Sequence, residues 1–374
     1  MEKKLTVFCY TDIHNQSSML DLPTVLRTSA VIAAEDAVRE FGKADVTLVG
    51  GDNVSDYPYW NRSAWLPKEN FLDLKAKLVR CMAATARDEK VLYVAGNNDM
   101  ILGDIGGDSW KPYNTTEFYF TGPMKDTLGE LSPEECLMTT SEKKPWEYPY
   151  LDAFHYVIRG VDFIGINIDP NTAYDSHEGH YTDETLRWLK AKLDEIDPDG
   201  NRLIFVVGHL SAACYPKGGE LYESMINGNR ELFYESLNGH RNLFYLYGHV
   251  HGEKYVYRDF SSGAVLHVGQ DLHTIDANLS HTDSSAYPDY AYCLVHMGGL
   301  RPFHVDEFEP DGRVGFGGTS ERQYFPHTGT PKLAQYLVIE VYEDRVVFQI
   351  RNTGSLEGYT RSDKPAPYTV YLRP

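Results

Sequence analysis

Tyr247-Gly-His-Val-His-Gly252, directly behind the apolar run Leu243-Phe-Tyr-Leu246, is the stretch on which the fold turns. In an extended chain, positions i and i+2 point to the same side. His249 and His251 can therefore enter one small volume from the mouth of a buried strand. Gly248 and Gly252 let the backbone turn sharply and approach closely whatever is held there. For an isolated His-x-His, two surface histidines beside a turn would be the better reading, so the rest of the chain has to decide.

The N-terminal part repeats the arrangement. An apolar run over Leu5–Tyr10 ends in Thr11-Asp-Ile-His-Asn15, placing Asp12 and His14 at the same i, i+2 spacing. Leu26, Ala30, Ala33, Ala37 and Phe41 then fall near one face of a helix, with Gly42 beside its end. A second strand, Val46–Val49, runs into Gly50-Gly-Asp-Asn-Val54 and delivers Asp52. Phe71, Leu74, Leu78 and Met82 mark another helix, and a third strand over Val91–Ala95 delivers Gly96-Asn-Asn-Asp99. Strand, helix, strand, helix, strand is the pattern of an α/β sheet, in which ligands bind beyond the carboxyl ends of the strands.

Further along, Phe154–Val161 and Phe163–Asn167 read as a hairpin or two neighbouring strands. Thr182-Asp-Glu184 reads as a capped helix start that continues through Leu186, Leu189 and Leu193. Strand Leu203–Val207 leads into Gly208-His-Leu210, and a helical stretch separates it from Leu243–Tyr247. Ala264–Val268 and Ala334–Ile350 read as strands, the latter as the hairpin Tyr336–Glu343/Arg345–Ile350. Two stretches lack periodicity, about 100–150 and 280–330. They are expected as loop excursions from one domain spanning 1–374, the first of them passing over the site.

Composition excludes several classes. Thirty-five basic against 54 acidic residues give a net charge of −19. A surface that negative repels phosphate backbones and anionic lipid, so no long nucleic acid and no membrane is expected as a partner. Bound cations reverse the sign locally, which leaves room for a small phosphoester. The five cysteines (Cys9, Cys81, Cys136, Cys214 and Cys293) are scattered and odd in number, as reduced core thiols would be. Lys3-Lys4 before Leu5–Tyr10 resembles the start of an export signal, but the apolar run is too short, and a cytoplasmic location is expected.

Asp12, His14, Asp52, Asn97, His209, His249 and His251 thus each stand at the end of an apolar run. Mixed imidazole and carboxylate donors suit Mn, Fe or Zn. Seven donors exceed one tetrahedral site, so two metal ions sharing a carboxylate is the natural count. A capping Asp or Asn, or a satisfied core histidine, would be the better reading of any one of these residues alone. It does not account for seven arriving together.

The series Asp-x-His, Gly-Asp, Gly-Asn-x-Asp, Gly-His and Gly-His-x-His resembles the calcineurin-like metallophosphoesterase superfamily, with all five blocks in that family's order from Asp12 to His251. The resemblance covers about two-thirds of the chain and leaves the C-terminal third as expected second-sheet strands. It implies an α/β sandwich of two mixed β-sheets flanked by helices. It also implies that Asp12, His14 and His251 hold one metal ion, that Asn97, His209 and His249 hold the other, and that Asp52 bridges them. The implied activity is phosphoester hydrolysis by a metal-activated hydroxide.

One departure stands out. The family's third block usually reads Gly-Asn-His-Asp/Glu, and its histidine protonates the leaving group or steadies the phosphate; here that position is Asn98. Asparagine donates hydrogen bonds but has no proton to transfer near neutral pH. Asp99 keeps its place without the imidazole it would orient. Asn98 and Asp99 are the candidate catalytic pair, and loss of the acid should penalise poor leaving groups most. His177 or His180 are possible substitutes, although ordinary surface histidines are the better reading of both. Phosphodiesters or activated phosphomonoesters are the expected substrates. Aromatic residues in irregular segments, from Tyr57 and Trp60 to Trp146 and Tyr148, could stack on a base or sugar or merely pack loops. A protein or nucleotide phosphatase is the alternative within the same chemistry, and a non-catalytic interaction module of the same fold is the alternative outside it. The oligomeric state is left open.

Overall fold

A computed structural model describes residues 2–13, 15–16, 29–55, 79–97, 99, 119, 122–139, 149–169, 180–210, 215–217, 220–222, 230–249, 292–304, 332–353, 367–372 and 374. In chain order its main elements are β1 (Leu5–Tyr10), α1 (Ser29–Phe41), β2 (Val46–Val49), β3 (Val91–Tyr93), α2 (Pro123–Leu128), β4 (Cys136–Thr139), β5 (Tyr150–Ile158) and β6 (Val161–Ile166). They continue as α3 (Asp183–Ile196), β7 (Ile204–Val207), α4 (Arg230–Leu237), β8 (Leu243–Tyr247), β9 (Cys293–His296), β10 (Gly299–His304), β11 (Lys332–Val341), β12 (Arg345–Thr353) and β13 (Tyr368–Tyr371).

Two mixed sheets result. The first has seven strands in the order β13-β12-β11-β1-β2-β3, with β10 also pairing β11. Its β1, β2 and β3 are parallel, while β11 runs antiparallel to β1 from Leu5↔Val341 to Cys9↔Leu337. The second sheet has six strands in the order β9-β8-β7-β6-β5-β4. Strands β6 to β9 are parallel neighbours, and β5 and β4 are antiparallel additions. Strands β1, β2, β6, β7 and β8 are buried along their whole length. That is why they read as continuous apolar runs rather than as an alternation.

Rings bind the second sheet together and tie it to the first. Phe163 stacks on Phe205 at 5.3 Å, Phe205 meets Phe244 at 5.6 Å, and Phe244 meets Phe348 of β12 at 5.2 Å. Full burial of each such side chain contributes roughly 1.5–3 kcal/mol. Helix α1 buries Ala30, Ala33, Ala34 and Ala37, a stripe of small residues at i, i+3, i+4 and i+7. It is fixed to β11 and β12 by the Tyr336 hydroxyl donating to Asp36 (2.9 Å) and by Arg351, which pairs with Glu40 and lies over the Phe41 ring. Helix α3 starts at Thr182, whose hydroxyl accepts the Thr185 amide at 3.0 Å.

Three expectations need correction. The C-terminal strands β11 to β13 complete the first sheet instead of joining the second. The stretch 280–330 carries β9 and β10, and the later part of 100–150 carries α2 and β4. These strands are short, and β4 is an edge strand half-buried throughout, so neither leaves a hydrophobic period to read. Of the helix expected around Phe71–Met82, the described part, residues 79–83, is helical, with Val79 and Met82 buried. The strand expected at Ala264–Val268 lies outside the described residues.

Candidate metal centre

Every parallel strand that bears a candidate ligand ends on the same side of the molecule. Asp12 follows β1, Asp52 follows β2, Asn97 lies beyond β3, His209 follows β7 and His249 follows β8. Asp12 and Asp52 are fully buried, Asn97 is 2% exposed and His209 is fully buried. Three of these residues adopt positive φ, Asp12 at 52°, Asp52 at 51° and His249 at 67°. Left-handed backbone turns the chain directly after a strand, and Asp and His enter that region more readily than other non-glycine residues.

The donors converge. One ligand atom from each of Asp52, His209 and His249 lies within 4.8 Å of the other two. The His209 and His249 rings meet edge-on at 5.3 Å, and His249 Nδ1 lies 3.0 Å from Asn97 Oδ1. His209 Nδ1 lies 2.8 Å from the Gly50 carbonyl, which can only accept, so Nδ1 carries the proton and Nε2 is the outward-facing nitrogen. Nε2 stands 3.3 Å from Asp52 Oδ2 without hydrogen-bond direction. Two donors side by side but not aimed at each other are placed as co-ligands of a cation would be. Burial pushes the His209 imidazole down; the Asp52 carboxylate, then Asp12 and the Gly50 carbonyl, push it the other way and leave it raised to about 9.

The surrounding groups hold these ligands still. The Asp12 carboxylate accepts the Thr11 hydroxyl at 2.8 Å and the His249 amide at 3.1 Å on both oxygens. The first and last motifs are thereby joined directly. Gly248 lies so close that a β-carbon there would strike Thr11 and the Asp12 carboxylate, and at Gly96 one would strike Asp52. Asn167, at the end of β6, accepts the Ala95 amide at 2.9 Å and donates to the Leu151 carbonyl at 2.7 Å, pinning the approach to Asn97 from the second sheet. Nothing in the spacing around Asn167 marks it for that role.

Asp99 is among the described residues. It is 1% exposed, and its carboxylate accepts the backbone amides of Asp52 (2.8 Å), Gly96 (3.0 Å) and Asn53 (3.3 Å). These bonds hold the turn that carries Asp52, which gives Asp99 a positioning role there. His14, Asn98 and His251 lie outside the described residues, as do His177 and the aromatic residues from Tyr57 to Tyr148 named above. His180 is described: its Nε2 stands 3.4 Å from Asp169 Oδ2, and its carbonyl accepts the Asp169 amide. His180 is thus half-buried beside the Asp169 carboxylate.

The sequence model of the calcineurin-like phosphoesterases matches residues 5–253, about two-thirds of the chain. The chain belongs to that family. It is a phosphoester hydrolase, and calcineurin-like phosphoesterases are generally metal-dependent. No curated protein matches the chain. Among solved structures, a conserved protein of Streptococcus pneumoniae described as a predicted phosphoesterase is 11% identical, with a TM-score of 0.30 and 99% of each chain covered. A candidate 5′-nucleotidase of Staphylococcus aureus is 12% identical at a TM-score of 0.37. The match covers 98% of this chain, which spans 54% of that protein.

The donor set fits the metal dependence of the family. Two fully buried carboxylates draw positive charge to the site, which the His209 imidazole supplies in part and a bound cation would supply in full. Imidazole and carboxylate together are a donor set that a transition-metal ion accepts.

Proposed function

We propose that this calcineurin-like phosphoesterase uses a dinuclear metal site to hydrolyse a small phosphodiester or an activated phosphomonoester. The convergence of Asp52, His209 and His249 donor atoms within 4.8 Å carries the reading. Asp12, His14 and His251 hold the first ion, Asn97, His209 and His249 hold the second, and Asp52 is shared between them. Bound there, the two cations supply Lewis acidity at the phosphoryl oxygens and an acidified water as nucleophile.

The chain's own residues supply position. Thr11 and the His249 amide orient the Asp12 carboxylate, the Gly50 carbonyl selects the His209 tautomer, and Asp99 fixes the turn on which Asp52 stands. An asparagine at position 98 has no proton to give, so substrates whose leaving oxygen departs unassisted are favoured. The net charge of −19 sets a further limit, since a polyanion is repelled before it reaches the site.

Metal content of the purified protein, followed by assays with added Mn on an aryl phosphodiester, an aryl phosphomonoester and a panel of nucleotides, tests the proposal. The expected result is bound metal, with turnover greatest on the aryl diester or aryl monoester. Tight metal binding with no turnover on any of these would instead identify a non-catalytic module, and turnover greatest on nucleotides would identify a nucleotide phosphatase.

A further inference from the structure

Tyr181 is fully buried one residue before the Thr182 cap of α3, and its hydroxyl meets the backbone of the metal-site strand β7 just where that strand ends. The hydroxyl oxygen accepts the amides of His209 at 3.1 Å and of Leu210 at 3.2 Å. It also lies 2.9 Å from the Tyr245 hydroxyl, which donates to the Leu210 carbonyl at 2.8 Å. A phenol has one proton. Tyr245 gives its proton to the carbonyl, so the proton between the two rings comes from Tyr181, and the Tyr181 oxygen is left facing the two amides. The direction of every bond in the group is fixed.

The surroundings leave this arrangement little freedom. A β-carbon at Gly208 would collide with both hydroxyls, so the glycine before His209 lets the phenols come this close. The Tyr181 ring stacks on Phe233 of α4 at 6.1 Å, and Phe233 meets the Tyr245 ring edge-on at 4.9 Å. On the other side, the His209 carbonyl accepts the Gly248 amide at 3.0 Å. The backbone of His209 is thus held by Tyr181 through its amide and by the His249 turn through its carbonyl.

We propose that Tyr181 is a positioning residue for the His209 arm of the metal centre, with Tyr245 setting the direction of its hydroxyl. This rests on the reading of His209 as a ligand. Removing the hydroxyl leaves two buried amides to find new partners, and the peptide they belong to carries the imidazole.

The test is Mn²⁺ titration of wild type, Tyr181→Phe, Tyr245→Phe and Phe233→Leu, each with a thermal melt. Tyr181→Phe keeps the ring and should weaken one of the two binding events roughly 10- to 100-fold, the range for groups that orient a ligand. The other event should stay within about twofold. Tyr245→Phe should weaken the same event less. Phe233→Leu loosens the ring packing without touching a hydroxyl, and should lower the melting temperature with both affinities retained. Wild-type affinity in Tyr181→Phe, or a loss in Phe233→Leu as large as in Tyr181→Phe, overturns the proposal alone. If Tyr181→Phe does not fold, Tyr245→Phe decides, and unchanged binding there overturns it. Wild type that binds no Mn²⁺ overturns the metal-centre reading itself.

Discussion

At the scale of single residues, the site stands on aspartates and a histidine held in backbone geometry that glycine usually occupies. Asp12, Asp52 and His249 all have φ between 51° and 67°. Each forgoes about 1–2 kcal/mol relative to ordinary backbone. The αL turn follows the strand at once and leaves the side chain beside the sheet edge, where the other donors arrive. Asp52→Asn tests the bridge cleanly, because asparagine tolerates the same backbone and keeps the shape while losing the charge. It should weaken both metal-binding events together, by roughly 100-fold or more given that outer-sphere changes alone cost 10- to 100-fold. Calorimetric titration would show it, and loss of only one event would contradict a shared carboxylate. Asn98→His restores an acid, and general acid catalysis contributes roughly 10²–10⁴-fold. Hydrolysis of alkyl phosphoesters should therefore rise far more than that of aryl ones. Equal gains on both would refute the missing-acid account.

At the scale of elements, what was legible depended on burial. Leu5–Tyr10, Val46–Val49 and Leu243–Tyr247 are strands with both faces covered, and such strands announce themselves as unbroken apolar runs. Their exits carry candidate ligands, so most of the candidate site could be read with them. Strands β4 and β9 are four residues long and β10 contains a proline, too little for a period to emerge. Tyr181, Asn167 and the inward turn of Asp99 depend on tertiary approach, and no spacing encodes that. Asp152 belongs to the same class. It is the extra residue where the β4–β5 register shifts between Leu137 and Met138, and its carboxylate accepts the Thr139 amide at 3.0 Å. Burial, opposed by Thr139 and reinforced by Glu184 and Asp169, raises it from 3.8 to about 7. Between those values the unfolded chain is ionised while the folded chain keeps its proton, so stability falls as pH rises through the window, at roughly 1.4 kcal/mol per pH unit. Below the window both states are protonated and the cost vanishes. Asp152→Asn retains an acceptor for Thr139 and should abolish this component. Urea unfolding at pH 5 and pH 8 would show a smaller loss in the variant than in wild type; identical losses would contradict it.

At the scale of the molecule, the family match stops at residue 253, yet the first sheet does not. Strand β1, which delivers Asp12, has β2 on one side and β11 on the other, so residues from near the two ends of the chain are adjacent in the sheet. Removing β11 turns a fully buried central strand into an edge with unpaired amides and carbonyls. The same hairpin anchors α1, through Tyr336 to Asp36 and through Arg351 to Glu40 and Phe41. Phe348 of β12 closes the ring contacts that run from Phe163 across the second sheet. A chain ending at residue 331 keeps every candidate ligand but loses the pairing that holds Asp12 in register with Asp52 and His249. It should show no cooperative thermal transition by circular dichroism and no stoichiometric uptake of Mn²⁺. A sharp melt with wild-type metal affinity would mean instead that the strands beyond residue 331 decorate a site able to stand without them. The pairing of β11 with β1 from Leu5 to Cys9 argues that they are part of its frame.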